Sequence, residues 1–241
     1  MKKLEKLLKN HKHLVFLDFE GTQYSHEMIA IGAVAVSLDK NNKIKKMKDP
    51  FKIYVKAKNK IGKYVVDLTG ITEDMLVEKG VTFSKAMEAL KKYVGLNFKK
   101  STFITFGNHD MRILNQSIAY SLTFPKDICS QIQKNYLDYS AFLSEFIRDD
   151  KGNPMSLIHY CEYFGVKEAG VAHDPSIDAI NLANLYNAFL EHKDLVLEGY
   201  KKQLGKSSHL PEPVLYVVRT LAAGEDVKAD DFEEKLKEYI K

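Results

Sequence analysis

One stretch, Leu14-Val15-Phe16-Leu17-Asp18-Phe19-Glu20-Gly21-Thr22-Gln23, constrains the fold of this chain more than any other. Its apolar pattern predicts a β-strand over residues 14–19, because side chains alternate between the two faces of a strand. One face then carries Val15, Leu17 and Phe19, and the other carries Phe16, Asp18 and Glu20. Apolar residues on both faces indicate a central strand that is covered on both sides.

The two acids on that strand are costly, because an ionised carboxylate in an apolar setting needs a partner or a metal. Between His13 and Arg112, the sequence offers no Lys or Arg in a position that obviously neutralises them. The alternative is that the strand ends there and both acids simply reach solvent.

The whole chain has 241 residues, of which 45% are hydrophobic, and this suits a globular protein with one large domain or a domain plus an appendage. Its net charge of +4 decides little, but residues 39–63 hold ten Lys and only two acids. Such a run suits a phosphate backbone, and it equally suits a solvated hairpin.

The cysteines and the N-terminus favour a cytoplasmic protein. Cys129 and Cys161 have no metal-ligand spacing and imply no disulfide framework, which fits a reducing compartment. Residues 1–12 lack the long apolar core of a signal peptide, and no window of ~18 apolar residues predicts a membrane span.

The order of the predicted elements indicates a mixed α/β domain, with three leading strands and then strands interleaved with helices. Predicted strands cover residues 14–19, 28–38, 51–55, 102–106 and 136–138. Predicted helices cover residues 1–10, 82–94, 110–122, 139–147, 156–164 and 175–192. The Lys-rich segment is expected to be a linker within a meander of the three leading strands.

The residues after Lys193 have a different character. Residues 195–206 carry few fold signals, residues 214–221 predict a short helix, and Asp230 followed by Glu233 resembles a helix cap. We expect two amphipathic helices that dock on the main domain, or alternatively on a protein partner.

Two further acids, Asp110 and Asp178, open predicted helices beside apolar positions. Asp178 shares a helix face with Leu182, Leu185 and Phe189, and such a stripe should face a core. Because the helix dipole stabilises an acid in the first turn by ~0.3–1 kcal/mol, each acid alone has an ordinary structural interpretation. Together with the two acids of the strand, however, they make four carboxylates at strand ends and helix starts.

Convergence of these four carboxylates would create strong mutual repulsion at low dielectric, which two divalent cations would neutralise. Mg²⁺ and Mn²⁺ prefer oxygen ligands, and a two-metal site stabilises the attacking and leaving oxygens of phosphoryl transfer. His173, five residues before Asp178, is a candidate base for activating water. The alternative for a loop histidine is mere exposure to solvent.

Three motifs in order resemble those of the DEDDh (DnaQ-like) 3′→5′ exonucleases, a family with a ribonuclease H-like fold. They are Asp18-Phe19-Glu20-Gly21-Thr22, Gly107-Asn108-His109-Asp110 and His173-Asp174-Pro175-Ser176-Ile177-Asp178. The resemblance covers roughly residues 14–189. The segment from Thr105 to Met111 is most similar to the exoribonuclease branch that trims small RNAs and histone-message or ribosomal RNA ends, and to its bacterial relatives.

The resemblance implies roles for twelve residues. The implied metal ligands, for two ions of Mg²⁺ or Mn²⁺, are Asp18, Glu20, Asp110 and Asp178, and the implied general base is His173. The implied substrate-binding residues are Phe19, Gly21, Thr22, Leu68, Thr69, Gly70 and Ile71, with Thr22 and the loop 68–71 contacting the 3′-terminal nucleotide. Gly21 departs from that branch, which often has Ala there, and the family domain does not explain the tail.

The sequence therefore predicts an α/β, ribonuclease H-like exonuclease domain over residues 12–193 and a C-terminal helical extension over residues 194–241. The predicted enzyme hydrolyses nucleic acid from its 3′ end to nucleoside 5′-monophosphates, with single-stranded RNA preferred. Apart from the four candidate ligands the chain is distinctly basic, which favours a nucleic-acid partner. The alternatives are a DNA exonuclease of the proofreading type and a catalytically idle nucleic-acid-binding protein on the same fold.

Overall fold

A computed structural model describes residues 2–171, 173–207 and 209–240. The described residues fall into two compact units. The first lies within Met1–Ser140 and Leu157–Leu190, and the second within Ala141–Ser156 and Glu191–Lys241. A segment from the middle of the chain thus belongs to the C-terminal unit, and the expected domain boundary at residue 193 stays a prediction.

The first unit contains a six-stranded mixed sheet. Its strands are β1 (His13–Gly21), β2 (Met28–Leu38), β3 (Ile44–Met47), β4 (Phe51–Tyr54), β5 (Ser101–Thr105) and β6 (Tyr136–Asp138). The order across the sheet is β3-β2-β1-β5-β6, and β4 also pairs with β2. β1 is antiparallel to β2 and parallel to β5, so the acidic strand is central, as predicted.

The expected Lys-rich linker is wrong in one respect, since it contains β3. This short strand pairs antiparallel with β2, with Val36 opposite Met47. Three of its four residues are exposed, and two of them are lysines. Lysines on an edge strand discourage pairing with other chains, and they also remove the apolar alternation that would predict a strand.

The helices follow in chain order. They are α1 (Lys2–Leu7), α2 (Lys63–Thr69), α3 (Glu73–Lys79), α4 (Phe83–Val94), α5 (His109–Tyr120), α6 (Lys126–Lys134), α7 (Tyr139–Leu143), α8 (Leu157–Tyr163), α9 (Pro175–Glu191), α10 (Lys193–Gly205), α11 (Glu212–Ala222) and α12 (Ala229–Tyr239). The predicted mixed α/β, ribonuclease H-like class is confirmed. Met1, at the start of the first predicted helix, lies outside the described residues.

Different layers cover the two faces of β1. On one face an apolar cluster joins the strand to α4, and its members include Val15, Leu17, Phe19, Met87 and Leu90. On the other face, the ring of Phe16 packs edge-on against Tyr186 of α9, with ring centroids 5.6 Å apart. The prediction of a strand covered on both sides is confirmed.

Helices α6 and α10 are among those that were not predicted from the sequence. Helix α6 has three buried residues, Ile128, Cys129 and Ile132, on one side of a nine-residue segment. Helix α10 covers residues 193–205, where few signals were expected, and only Val196 and Gly199 are buried in it. Short or sparsely apolar stripes of this kind are weak signals of a helix, because tertiary packing rather than propensity stabilises them.

Within the second unit, the segment 141–156 and α10 are joined by direct contacts. The rings of Phe146 and Tyr200 lie 5.5 Å apart, and Gln203 Nε2 donates a hydrogen bond of 3.1 Å to the Ser144 carbonyl. The described residues of the tail form three helices, α10, α11 and α12, rather than the two expected.

The last helix differs from its prediction at both ends. The N-cap of α12 is Lys228, whose backbone N–H donates to Asp231 Oδ2 at 3.2 Å, so the cap proposed at Asp230 is wrong. At the other end, where an amphipathic helix was expected, Tyr239 and Ile240 are exposed. In the part of the chain that the structure describes, no helix is long and apolar enough to cross a membrane.

Candidate active site

The first two candidate acids project from β1 towards the layer that contains α9. Asp18 lies opposite Gly32 of β2, and Glu20 lies opposite Ala30, so each pair shares a face of the sheet. A Cβ atom at position 32 would collide with the backbone of Pro175 and Ser176. Gly32 therefore allows the start of α9 to lie directly on the sheet beside Asp18.

Asp110 reaches the same place from the neighbouring strand. β5 runs parallel to β1, so the chain leaves both strands at the same edge of the sheet, and α5 begins four residues after β5. Asp110 is buried in the first turn of α5, and its Oδ1 accepts a 2.7 Å hydrogen bond from the backbone N–H of Phe19. This bond fixes Asp110 between Asp18 and Glu20.

Asp178 and His173 come from the start of α9. Asp178 lies in the first turn, and its Oδ2 accepts a 3.1 Å hydrogen bond from the backbone N–H of His173. His173 has a φ of 65°, in the left-handed region that residues other than glycine rarely adopt. Such backbone strain clusters at functional sites, where the surrounding structure maintains it.

The four carboxylates interact strongly with one another. Burial, and then repulsion from neighbouring acids with Asp110 first, raises the pKa of Asp18 well above its usual range. Burial and repulsion from Asp178 raise the pKa of Glu20 to about 7. Burial raises the pKa of Asp110 to about 7 against the opposing Phe19 hydrogen bond, and burial also raises the pKa of Asp178. The cluster thus favours partial protonation or a compensating cation.

The donor set fits hard divalent cations, because all four side chains offer carboxylate oxygens. Their present orientations do not form a ready site. Among the residues that the structure describes, no group of three or more His, Cys, Asp or Glu is placed to hold a metal ion. Asp110 and Asp178 each direct one oxygen to a backbone N–H.

Lys52 is a neighbour of this cluster that sequence reasoning missed. It lies on β4, and its Nζ forms a 2.7 Å ion pair with Asp174 Oδ2. Its charge also opposes the rise in the pKa of Glu20. The sequence shows no lysine before Arg112 in a position that obviously neutralises the acids, and Lys52, distant in sequence, reaches them through strand pairing. The signal was hidden because it depends on which residues pair across three strands.

Asp138, at the end of β6, is another neighbour of the cluster that was not singled out from the sequence. Its Oδ1 accepts a 3.1 Å hydrogen bond from the backbone N–H of Gly107, and its charge contributes to the raised pKa of Asp110. Because β6 is parallel to β5, its carboxyl end meets the same edge of the sheet. The parallel pairing of β5 and β6 is the feature that could have pointed to Asp138.

The predicted substrate-binding residues of the first motif have little exposed side chain. Phe19 is buried in the apolar cluster that includes α4, so only its backbone faces the acids. Thr22 is 1% exposed, and its hydroxyl accepts a 3.0 Å hydrogen bond from the backbone N–H of Glu27. A Cβ atom at Gly21 would lie 2.8 Å from Ile113 Cγ1.

The predicted loop 68–71 is the end of α2 and the turn after it. Leu68 is exposed, Gly70 has a φ of 69°, and the Thr69 hydroxyl donates a 2.8 Å hydrogen bond to the Val65 carbonyl. Ile71 is buried in a cluster with Ala30, the residue paired with Glu20. The turn is thus anchored next to the strand pair that carries Glu20.

Comparison with known proteins gives one family and a group of solved structures. The family model described as Exonuclease (RNase_T) matches residues 15–186. The nuclease domain of 3′hExo, a DEDDh family member bound to rAMP, is 21% identical, with a TM-score of 0.59 over 75% of this chain and 92% of that chain.

Two further structures share the fold. Cell-death related nuclease 4 (CRN-4) is 24% identical, with a TM-score of 0.58 over 75% of this chain and 64% of that chain. E. coli exonuclease I in complex with a dA16 oligonucleotide is 17% identical, with a TM-score of 0.56 over 81% of this chain and 44% of that chain. Identities this low show the fold alone. No curated protein sequence matches the chain.

Proposed function

The chain belongs to the exonuclease family, and from that premise we propose that it is a metal-dependent 3′→5′ exonuclease that prefers single-stranded RNA and releases nucleoside 5′-monophosphates. The observation that carries the proposal is the convergence of Asp18, Glu20, Asp110 and Asp178 from three elements at one edge of the sheet. Their mutual repulsion would serve no structural purpose. It suits a site that binds two divalent cations, Mg²⁺ or Mn²⁺.

When bound, such cations stabilise the charge that develops on the attacking and leaving oxygens of a phosphodiester. The four carboxylates would hold them. The backbone N–H of Phe19 orients Asp110, and the backbone N–H of His173 orients Asp178. Side chains held in this way lose little freedom when a substrate arrives.

His173 is the proposed general base. Its imidazole would accept the proton from the attacking water, which requires the neutral ring. The strained backbone of His173 and its hydrogen bond to Asp178 support this role, because both fix the residue at the start of α9. The phosphodiester bond to the terminal nucleotide then breaks, and its 5′-phosphate leaves with that nucleotide.

The free 3′ end is proposed to lie against Thr22 and the turn 68–71, with Phe19 and Gly21 lining the floor. The position of Ile71 beside Ala30 supports this arrangement, since Ala30 pairs with Glu20. A 3′-phosphate should inhibit, because it places extra charge where the terminal hydroxyl belongs. A label on the 5′ nucleotide should appear last among the products.

RNA preference rests on the likeness of the second motif to RNA-trimming exoribonucleases. A DNA exonuclease is the second candidate, favoured by the similar fold of exonuclease I in complex with dA16. Initial rates on single-stranded RNA and DNA of one sequence would separate the two. Faster release of nucleoside 5′-monophosphates from RNA supports the proposal, and faster release from DNA contradicts it.

The remaining assignments are also proposals. Residues 12–193 would form the catalytic domain and residues 194–241 the extension, for which a protein partner stays a prediction. Both cysteines are free and buried, which supports placement in the cytoplasm.

A further inference from the structure

Lys52 occupies a position that the proposed chemistry does not use. β4 pairs with β2 so that Lys52 lies opposite Gly32, which in turn lies opposite Asp18. Directly paired residues project from the same face, so Asp18, Gly32 and Lys52 form one row across the sheet. With neighbouring strands ~4.8 Å apart, the backbones of Asp18 and Lys52 are ~10 Å apart. The start of α9 lies directly over Gly32, in the middle of this row.

The ammonium group of Lys52 is held on the side of the acids. Its Nζ lies 2.7 Å from Asp174 Oδ2 and 5.3 Å from the centroid of the Tyr54 ring. Asp174 is fixed in turn by Ser176, whose backbone N–H and hydroxyl donate hydrogen bonds of 3.0 and 2.7 Å to Oδ1. The side chains of Lys52 and Asp174 are 28% and 32% exposed, so the pair remains accessible from solvent.

Stability alone is a weak reason for this arrangement, because an ion pair open to solvent contributes ~0–1 kcal/mol. The surroundings suggest another use. Once cations neutralise the acids, Lys52 becomes an additional positive charge beside the place where a phosphodiester must lie. Its ammonium group can exchange the Asp174 carboxylate for a phosphate oxygen, because both groups are anionic and accept charge-assisted hydrogen bonds.

We propose that Lys52 binds a backbone phosphate of the nucleic-acid substrate, exchanging its ion pair with Asp174 for the phosphate when the substrate arrives. The inference rests on the proposed function and deepens it by naming a phosphate subsite on β4. A purely mechanical link between β4 and the start of α9 is the competing explanation.

Steady-state kinetics on a single-stranded oligonucleotide would test the subsite. Lys52→Ala should raise KM about tenfold, as loss of a charge-assisted hydrogen bond predicts, and change kcat by less than threefold. Lys52→Arg should restore most of the affinity, since it keeps the charge. The dependence of log KM on log salt concentration should lose ~0.7 in slope with Lys52→Ala, the amount expected for one phosphate contact on a single strand.

Two further variants separate binding from a mechanical link. Asp174→Asn keeps an oxygen for Ser176 but removes the charge, and it should leave KM within threefold because the cation remains. Lys85→Ala removes a lysine from α4, on the opposite side of the sheet, and should change neither KM nor the slope. A mechanical link instead predicts equal losses of melting temperature for Lys52→Ala and Asp174→Asn, with an unchanged salt slope.

Equilibrium binding of a fluorescein-labelled oligonucleotide, measured by anisotropy with Ca²⁺ in place of Mg²⁺ so that the acids are neutralised, distinguishes failure of the subsite from failure of the proposed function. If the wild type does not degrade RNA or DNA with Mg²⁺ or Mn²⁺, yet Lys52→Ala weakens binding about tenfold, the subsite stands and the exonuclease proposal falls. If the wild type degrades the oligonucleotide and Lys52→Ala matches it in KM, Kd and salt slope, the subsite is overturned. If the wild type neither binds nor degrades it, both proposals are overturned.

Discussion

The two faces of β1 show opposite solutions to the same burial problem. One face carries Val15, Leu17 and Phe19 into an apolar cluster with α4. The other carries Asp18 and Glu20 into a group of acids that repel one another. The first arrangement lowers the free energy of the folded state, whereas the second raises it.

This difference separates stability from function on a single strand. Burying a large apolar side chain stabilises the fold by ~1.5–3 kcal/mol, whereas burying like charges costs energy that another term must offset. On the acidic face, the backbone N–H of Phe19 donates a hydrogen bond to Asp110, and the positive charge of Lys52 lies nearby. Both offset part of the repulsion between the acids. Substitutions on the two faces should therefore change different properties.

The largest expected contrast compares neighbouring residues. Leu17→Ala should lower the free energy of unfolding by ~2–5 kcal/mol, because it leaves a cavity in the core. Asp18→Asn should leave the metal-free protein at least as stable, since it removes a repelling charge, but lower kcat at least ~100-fold, or ~2.7 kcal/mol in barrier. Urea denaturation and turnover measured on both variants check this. An Asp18→Asn protein that keeps more than a tenth of the rate contradicts the assignment.

His173→Ala tests the acidic face without removing a carboxylate. It should lower kcat by ~10²–10⁴-fold, the usual contribution of a general base, while Mn²⁺ affinity changes little. Asp174→Asn is the matched control on the neighbouring residue and should matter far less. Added imidazole should restore part of the lost rate. Unchanged turnover in His173→Ala would exclude this residue as the base.

The acidic face also predicts how stability depends on pH when EDTA removes cations. The raised pKa values of Glu20 and Asp110, both about 7, mean that the folded state binds more protons than the unfolded state between the ordinary carboxyl pKa, ~4, and about 7. Stability is therefore present at acidic pH and is lost as pH rises through about 7. Melting temperatures across this range should fall for the wild type and change less for Asp110→Asn. Saturating Mn²⁺ should raise the melting temperature and remove the decline.

The smallest expected effect comes from Gly21, the last residue of β1. Gly21→Ala adds a methyl group that would lie 2.8 Å from Ile113 Cγ1, and overpacking of this kind costs ~1–3 kcal/mol. The substitution Ile113→Ala, which removes Cγ1, should relieve most of that cost in the double variant. Chemical denaturation of the two single variants and the double variant measures the coupling. Strict additivity would show that Ile113 is not the obstacle.

The secondary-structure elements that form the apolar face could be predicted from local sequence patterns. β2 spans the predicted residues 28–38, and α4 lies within the predicted residues 82–94, with Thr82 as its N-cap. These elements are readable because period-two and period-3.6 patterns are local properties. β3 and α10 were missed because their burial depends on partners rather than on their own periodicity.

The acidic face was only partly predictable. The four acids could be recognised one by one, and they lie together because of strand order. Lys52 could not be found, since its position depends on the pairing of Asp18 with Gly32 and of Gly32 with Lys52. The conformation of the turn at Thr22 could not be predicted from the sequence either, because it depends on the hydrogen bond that the Thr22 hydroxyl accepts from the backbone N–H of Glu27.

The most direct test of the acidic face as a catalytic site is degradation of a 5′-labelled single-stranded RNA by the wild type and Asp18→Asn, in EDTA and after adding excess Mn²⁺. We predict no degradation in EDTA, then progressive shortening from the 3′ end with release of nucleoside 5′-monophosphates once Mn²⁺ is present. Asp18→Asn should show no shortening and no release of nucleoside 5′-monophosphates in either condition. Full wild-type activity in excess EDTA, or internal cleavage of a circular RNA, would contradict the account.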